Sequence, residues 1–157
     1  IWDPDARGTL VGLTLVHTRA HLYRAFLEGV AFALRHNVEA GRAAGYELEE
    51  TLRVVGGGAR SGLWMDILAS VTGMPVSAAR GGEAAFGDTM LGAVGVGLAA
   101  PEDLPAWVDA ADLQRRREPE PEAQRRYDAL YPHYVGLYQD LRERFSALAG
   151  LDTGRAS

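Results

Sequence analysis

Three consecutive glycines, Gly56-Gly57-Gly58, lie between the apolar pair Val54-Val55 and the run Ala59-Arg60-Ser61-Gly62-Leu63-Trp64. The chemistry open to such a run is anion binding through the main chain. Without side chains the backbone can approach a ligand, and the unpaired N–H groups and dipole of a following helix favour phosphate. Arg60 is a candidate phosphate contact, set against the plainer reading of a solvated charge on a turn. His17 and His21 are four residues apart and can share a helix face, but no HExxH pattern and no third ligand accompany them, so no metal site is expected. Asp3 and Asp5 lack EF-hand spacing and read as turn formers beside Pro4. Glu83 reads as a dipole-favoured charge at a helix start, and Asp88 as a structural acid among small residues or one facing a cleft. No Walker A lysine is present.

The elements that must hold this turn follow from periodicity and punctuation. Leu10 to Leu15 reads as a short β segment. Thr18 can cap a long helix to about Ala44, stopped by Gly45, with Leu22, Phe26, Gly29, Val30, Ala33 and Leu34 as its packing stripe. Leu52 to Val55 reads as a buried strand feeding the glycines, and Ser61 as the N-cap of a second helix that Gly73 and Pro75 end. Pro75 to Ala78 reads as another strand. Gly81-Gly82 precedes a third helix from about Glu83 to Val96, whose Gly87, Gly92 and Gly95 each cost roughly 1 kcal/mol against Ala and so suggest close approach to backbone or ligand. Pro101 to Pro121 shifts to Pro, Asp, Glu and Arg, with residues 114–119 read as a solvated linker. A last helix from about Glu122 to Ala149 carries a stripe that includes Tyr127, Tyr131, Tyr134 and Tyr138, read as core packing with wet hydroxyls. The order, helix-strand-helix-strand-helix plus a C-terminal helix, is an α/β layer pattern with few strands.

The 157 residues, 47% of them apolar, suffice for one core. A net charge of −5, from 16 basic against 21 acidic residues, supplies no basic surface for nucleic acid. The absence of cysteine fits a reducing cytoplasm, and no apolar run approaches a membrane span of roughly 20 residues. Ile1 in place of Met, and a turn-like opening from Trp2 to Gly8, lead us to expect a fragment.

Four ordered blocks carry a resemblance: Trp2-Asp3-Pro4-Asp5-Ala6-Arg7-Gly8 with Gly12-Leu13-Thr14; Arg24-Ala25-Phe26-Leu27-Glu28-Gly29-Val30; Gly56-Gly57-Gly58-Ala59-Arg60-Ser61; and Glu83-Ala84-Ala85-Phe86-Gly87-Asp88. Together they resemble the C-terminal domain of the FGGY carbohydrate kinases, which implies an actin-like, ribonuclease-H-like ATPase fold that is only partial here. Residues 1–157 would then be the nucleotide-binding domain without its first strands and without the N-terminal domain, which carries the phosphate loop and the catalytic aspartate. The resemblance implies that Gly57, Gly58 and Ala59 line the phosphates and ribose of ATP, that Gly62 lies near adenine, and that Mg2+ is held mainly by the missing domain. No catalytic residue is expected in this piece, which alone should be inactive.

The parent would phosphorylate a sugar hydroxyl. Gly-Gly-Gly-Ala-Arg-Ser is shared with xylulose kinases, which favours D-xylulose, while Phe86-Gly87-Asp88-Thr89-Met90 departs from their commoner form and keeps ribulose and other polyols open. Glycerol kinases of this family carry Asn where Gly62 stands, which disfavours glycerol. The partners implied are the sugar and ATP, with no nucleic acid or membrane and with a homodimeric parent left open. Two other classes remain. A Rossmann-type dinucleotide unit fits imperfectly, because Ser61 takes the third glycine position and Val76-Ser77-Ala78-Ala79 runs into Arg80 with no acid. A non-catalytic actin-like module would use its terminal helix to bind a partner.

Overall fold

The protein is described by a computed structural model covering residues 3–79, 84–109 and 113–153. Thr18, extended at φ −112°, opens helix α1 (Arg19–Ala43), where His21 Nδ1 accepts the Thr18 N–H at 3.1 Å. The helix closes where Ala44 N–H reaches Ala40 O and Gly45, at φ +84°, turns the chain away. Strand β1 (Leu52–Val54) leads through the glycine turn to α2 (Gly62–Thr72), and β2 (Val76–Ala79) follows. α2 starts at Ser61, whose Oγ accepts the Trp64 N–H at 3.3 Å, and stops at Gly73 in the left-handed conformation, φ +66°.

β1 and β2 pair in parallel, Leu52 opposite Val76 and Val54 opposite Ala78, so the glycine turn and α2 together form their crossover. α3 (Ala84–Gly95), α4 (Leu104–Asp109), β3 (Leu113–Arg117) and α5 (Pro121–Thr153) complete the order. β3 runs antiparallel on the far side of β2, with an irregularity between Val76 and Ala78.

α2 is the centre of the molecule. Met65, Ile67, Leu68, Ala69 and Val71 are all buried, packed among α1, α5 and the sheet. A helix apolar nearly all round must be covered on several sides, and here it is. Phe32 of α1 meets Tyr127, Tyr131 and Tyr134 of α5 with ring centroids 5.3 to 6.0 Å apart, joining the two long helices. Tyr127, Tyr131 and Tyr134 therefore pack in or against the core, and three hydroxyls of the stripe meet polar partners. Tyr127 Oη donates to Glu28, Tyr131 Oη meets His36 Nδ1 at 3.3 Å, and Tyr138 Oη donates to Asp3.

Four expectations change. Leu10 to Leu15 forms no strand; these residues are exposed, and no strand edge among the described residues receives their backbone. The expected stripe of α1 is not the face that packs. Ala31 and Phe32 are buried, with Leu27 packed beside them, whereas Phe26 is 61% and Val30 55% exposed. The expected linker contains β3, whose charged sequence suits an edge strand that must resist further pairing. Finally, a Cβ placed at Gly87, Gly92 or Gly95 meets nothing within 4 Å, so no close approach explains these glycines among the described residues. Trp2, Arg80, Gly81-Gly82 and Glu83 lie outside the described residues.

Candidate functional site: the glycine turn and the start of α2

The three glycines differ in what each does. Gly56 adopts φ +81° and ψ −167°, a conformation that side chains resist, and so turns the chain off β1. Gly57–Arg60 then form one 3-10 turn, in which Ala59 N–H donates to Gly56 O at 3.2 Å and Ser61 N–H to Gly58 O at 3.1 Å. Gly58 is fixed by packing, since a Cβ there would stand 3.2 Å from Cδ1 and Nε1 of Trp64. At Gly57 a Cβ would meet nothing within 4 Å. The Gly57 and Gly58 amides lie ahead of the first bond of the turn, the positions whose donors have no partner within the helix.

Ala59 behaves differently. Its amide is engaged by Gly56 and its side chain, 9% exposed, joins the core cluster, so it pins the turn to the body. Arg60 and Gly62 are exposed on the same stretch. The site is thus an open ledge. A groove of about 410 Å³ runs between α1 and β1, and one of about 370 Å³ lies under residues 6–11, but neither is lined by a residue of the turn.

One residue beside this ledge had no signal in the sequence. Arg117, at the end of β3, reaches α2, where its Nε pairs with Asp66 Oδ1 at 2.9 Å and its Nη1 donates to Arg116 O at 3.2 Å. Its Nη2 stands 3.8 Å from where a Gly62 Cβ would be. Only the antiparallel placement of β3 beside β2 brings residue 117 to residue 62, and a segment read as linker gives no hint of it.

The remaining polar residues serve structure. His17 Nδ1 accepts the Thr14 N–H at 2.9 Å, and with His21 in its capping role both histidines use a ring nitrogen to close a local turn. Asp3 accepts the Asp5 N–H and the Tyr138 hydroxyl, and the Tyr138 bond foremost holds its carboxyl below the usual range. Arg24 Nη2 donates to Tyr127 Oη at 3.0 Å while Tyr127 donates to Glu28 Oε1 at 2.8 Å, tying α1 to α5. Burial raises the Tyr127 hydroxyl and pushes Tyr131 up to about 12. Asp88 is exposed on α3. Among the described residues no group of three or more His, Cys, Asp or Glu comes together as a metal site would require, and no helix is long and apolar enough to cross a membrane.

Comparison with known proteins identifies the family. The family model for the "FGGY family of carbohydrate kinases, C-terminal domain" matches residues 1–100, through the glycine turn and α3. A glycerol kinase of Thermus brockianus is 43% identical over 133 residues, covering 83% of this chain and 26% of that protein. A xylulose kinase of Staphylococcus epidermidis is 27% identical over 143 residues, covering 90% and 28%. The crystal structure of xylulose kinase from Rhodospirillum rubrum superposes with a TM-score of 0.75 at 35% identity, over 92% of this chain and 29% of that one. The chain spans about a quarter of the length of the curated relatives it matches. Its fold is the α/β, actin-like and ribonuclease-H-like class of these kinases, which sets aside the Rossmann-type alternative. The chain belongs to the FGGY family of carbohydrate kinases and corresponds to its C-terminal domain.

Proposed function

We propose that this chain is the nucleotide-binding side of an ATP-dependent carbohydrate kinase that phosphorylates a hydroxyl of a small ketose or polyol, with D-xylulose as the acceptor. The observation that carries the reading is the ledge itself: Gly57 offers bare main chain to open space at the start of the 3-10 turn that leads into α2, in a family whose members are kinases. The amides of Gly57 and Gly58 point their donors at the phosphates, and a fixed main-chain donor needs no reorganisation when charge develops. Ala59 anchors the turn, Arg60 stands within the stretch that meets phosphate, and the missing side chain of Gly62 leaves room for the base. Bound Mg-ATP supplies the transferable phosphoryl group and the cation that offsets its charge. The base that deprotonates the acceptor, the sugar pocket and the metal ligands belong to a second lobe, and the two lobes close around the substrates in the cytoplasm.

Glycerol is the second reading, favoured by the 43% identity with a glycerol kinase, whereas the family resemblance, which implies Asn in glycerol kinases where Gly62 stands, favours a ketose. Purified intact polypeptide carrying this domain, given Mg-ATP and one of D-xylulose, D-ribulose, glycerol or D-gluconate, tests both. The expected result is ADP release dependent on the acceptor, with the highest kcat/KM for D-xylulose. A glycerol preference moves the substrate to the second reading. Failure to bind ATP, together with no ADP release on any acceptor, overturns the proposal.

A further inference from the structure

The geometry points to Arg117 as a further nucleotide-binding residue, one that takes the base of the nucleotide against its guanidinium beside Gly62. The inference rests on the nucleotide reading of the ledge and extends it to a residue 55 positions further along the chain than Gly62. Two contacts fix the guanidinium: Nε to Asp66 and Nη1 to the Arg116 carbonyl. They hold a planar group with 42% of its side chain exposed and with Nη2 directed toward the bare position of Gly62. Asp66 stands at i+4 from Gly62, on the same face of α2, so the pair and the glycine form one patch.

The charges on that patch select the part of the ligand it suits. Asp66 already balances Arg117, and its carboxylate would repel a phosphate brought to the same place. A neutral aromatic base meets no such opposition, and a guanidinium plane offers it both stacking and cation–π attraction. A side chain at residue 62 would fill the approach. Phosphate at the Gly57 and Gly58 amides and base at Gly62 and Arg117 then lie in order along one turn and one helix start.

The test compares ATP with inorganic tripolyphosphate, which has the phosphates and lacks the base, by titration calorimetry on the intact polypeptide. Arg117→Ala is expected to weaken ATP about tenfold, the size of one lost base-stacking contact, and to leave tripolyphosphate unchanged. Arg117→Lys keeps the charge and loses the plane, and is expected to weaken ATP to a similar degree. Gly57→Val serves as the control on the ledge and is expected to weaken both ligands. If Arg117→Ala changes neither ligand while Gly57→Val weakens both, the ledge stands and this inference falls. Equal weakening of both ligands by Arg117→Ala, or full retention of ATP affinity by Arg117→Lys, also overturns the base contact. If Gly57→Val changes neither, the nucleotide reading fails first and takes this inference with it.

Discussion

Gly56, Gly57 and Gly58 look alike in the sequence and are held for three separate reasons, which single substitutions resolve. Gly56→Ala forces a side chain into φ +81° and is expected to cost about 1–3 kcal/mol. Gly58→Ala drives a Cβ to 3.2 Å from the Trp64 ring, which must shift, at an expected cost of about 1 kcal/mol. Gly57→Ala meets open space without a positive φ, so its stability change should stay within about 0.5 kcal/mol. Denaturant unfolding of the three variants measures these costs. A Gly57→Ala loss as large as that of Gly56→Ala would mean that the position is structural and not kept bare for a ligand. The glycine run was plain from composition, and so was its place between strand and helix. The division of labour was hidden, because it depends on where the ring of Trp64 lies and on one backbone angle. Tyr127 offers a second test at this scale. Its hydroxyl bridges Arg24 and Glu28, which keep their own ion pair at 2.7 Å, so Tyr127→Phe should lower stability by about 1 kcal/mol through the two lost hydrogen bonds.

Elements with strong punctuation were readable to within a residue or two, and those defined by their neighbours were not. Thr18 and Gly45 bracket α1, Ser61 and Gly73 bracket α2, and each residue does its local work with its own backbone or side chain. β3 is the contrary case. Its Arg115-Arg116-Arg117 run has no strand signature, and only pairing with β2 makes it a strand. The stripe of α1 was misplaced for a similar reason: periodicity finds an apolar face, but which face is covered depends on where α2 and α5 lie. α5 carries a cap that composition also obscured. The Glu120 carboxylate accepts the N–H groups of Glu122 at 2.9 Å and Ala123 at 2.6 Å, and these bonds hold its pKa below the ordinary 4.5. A carboxylate depressed in the folded state adds stability that is complete above 4.5 and is lost as pH falls through the lower folded value. Glu120→Ala should therefore lower the melting temperature at about pH 6, and the gap should close toward about pH 3. Circular-dichroism melts across that range would show it; a gap independent of pH would rule out the ionised cap.

At the scale of the whole molecule, the pieces form an uneven body. α2 is enclosed on several sides, while α1 packs mainly on α2 and turns Tyr23, Phe26, Val30 and Leu34 outward at spacings of three and four residues. Among the described residues the sheet ends nearby in the unpaired edge of β1, and the groove between α1 and β1 is lined by Leu34, Val38, Leu48 and Leu52. An apolar helix face beside an open strand edge is a surface that monomeric proteins rarely leave to water. The same surface explains why sequence periodicity pointed to the wrong face: Phe26 and Val30 have the pattern of core residues without a core on their side. The 157-residue chain studied by itself should consequently associate as its concentration rises. The double substitution Phe26→Glu and Val30→Glu should suppress that association without lowering the melting temperature, because neither residue belongs to the packed cluster around α2. Light scattering coupled to size exclusion gives the first readout and thermal unfolding the second. Association unchanged by the two glutamates would shift the cause to the β1 edge alone, whereas a large fall in melting temperature would mean that this face is covered within the isolated chain.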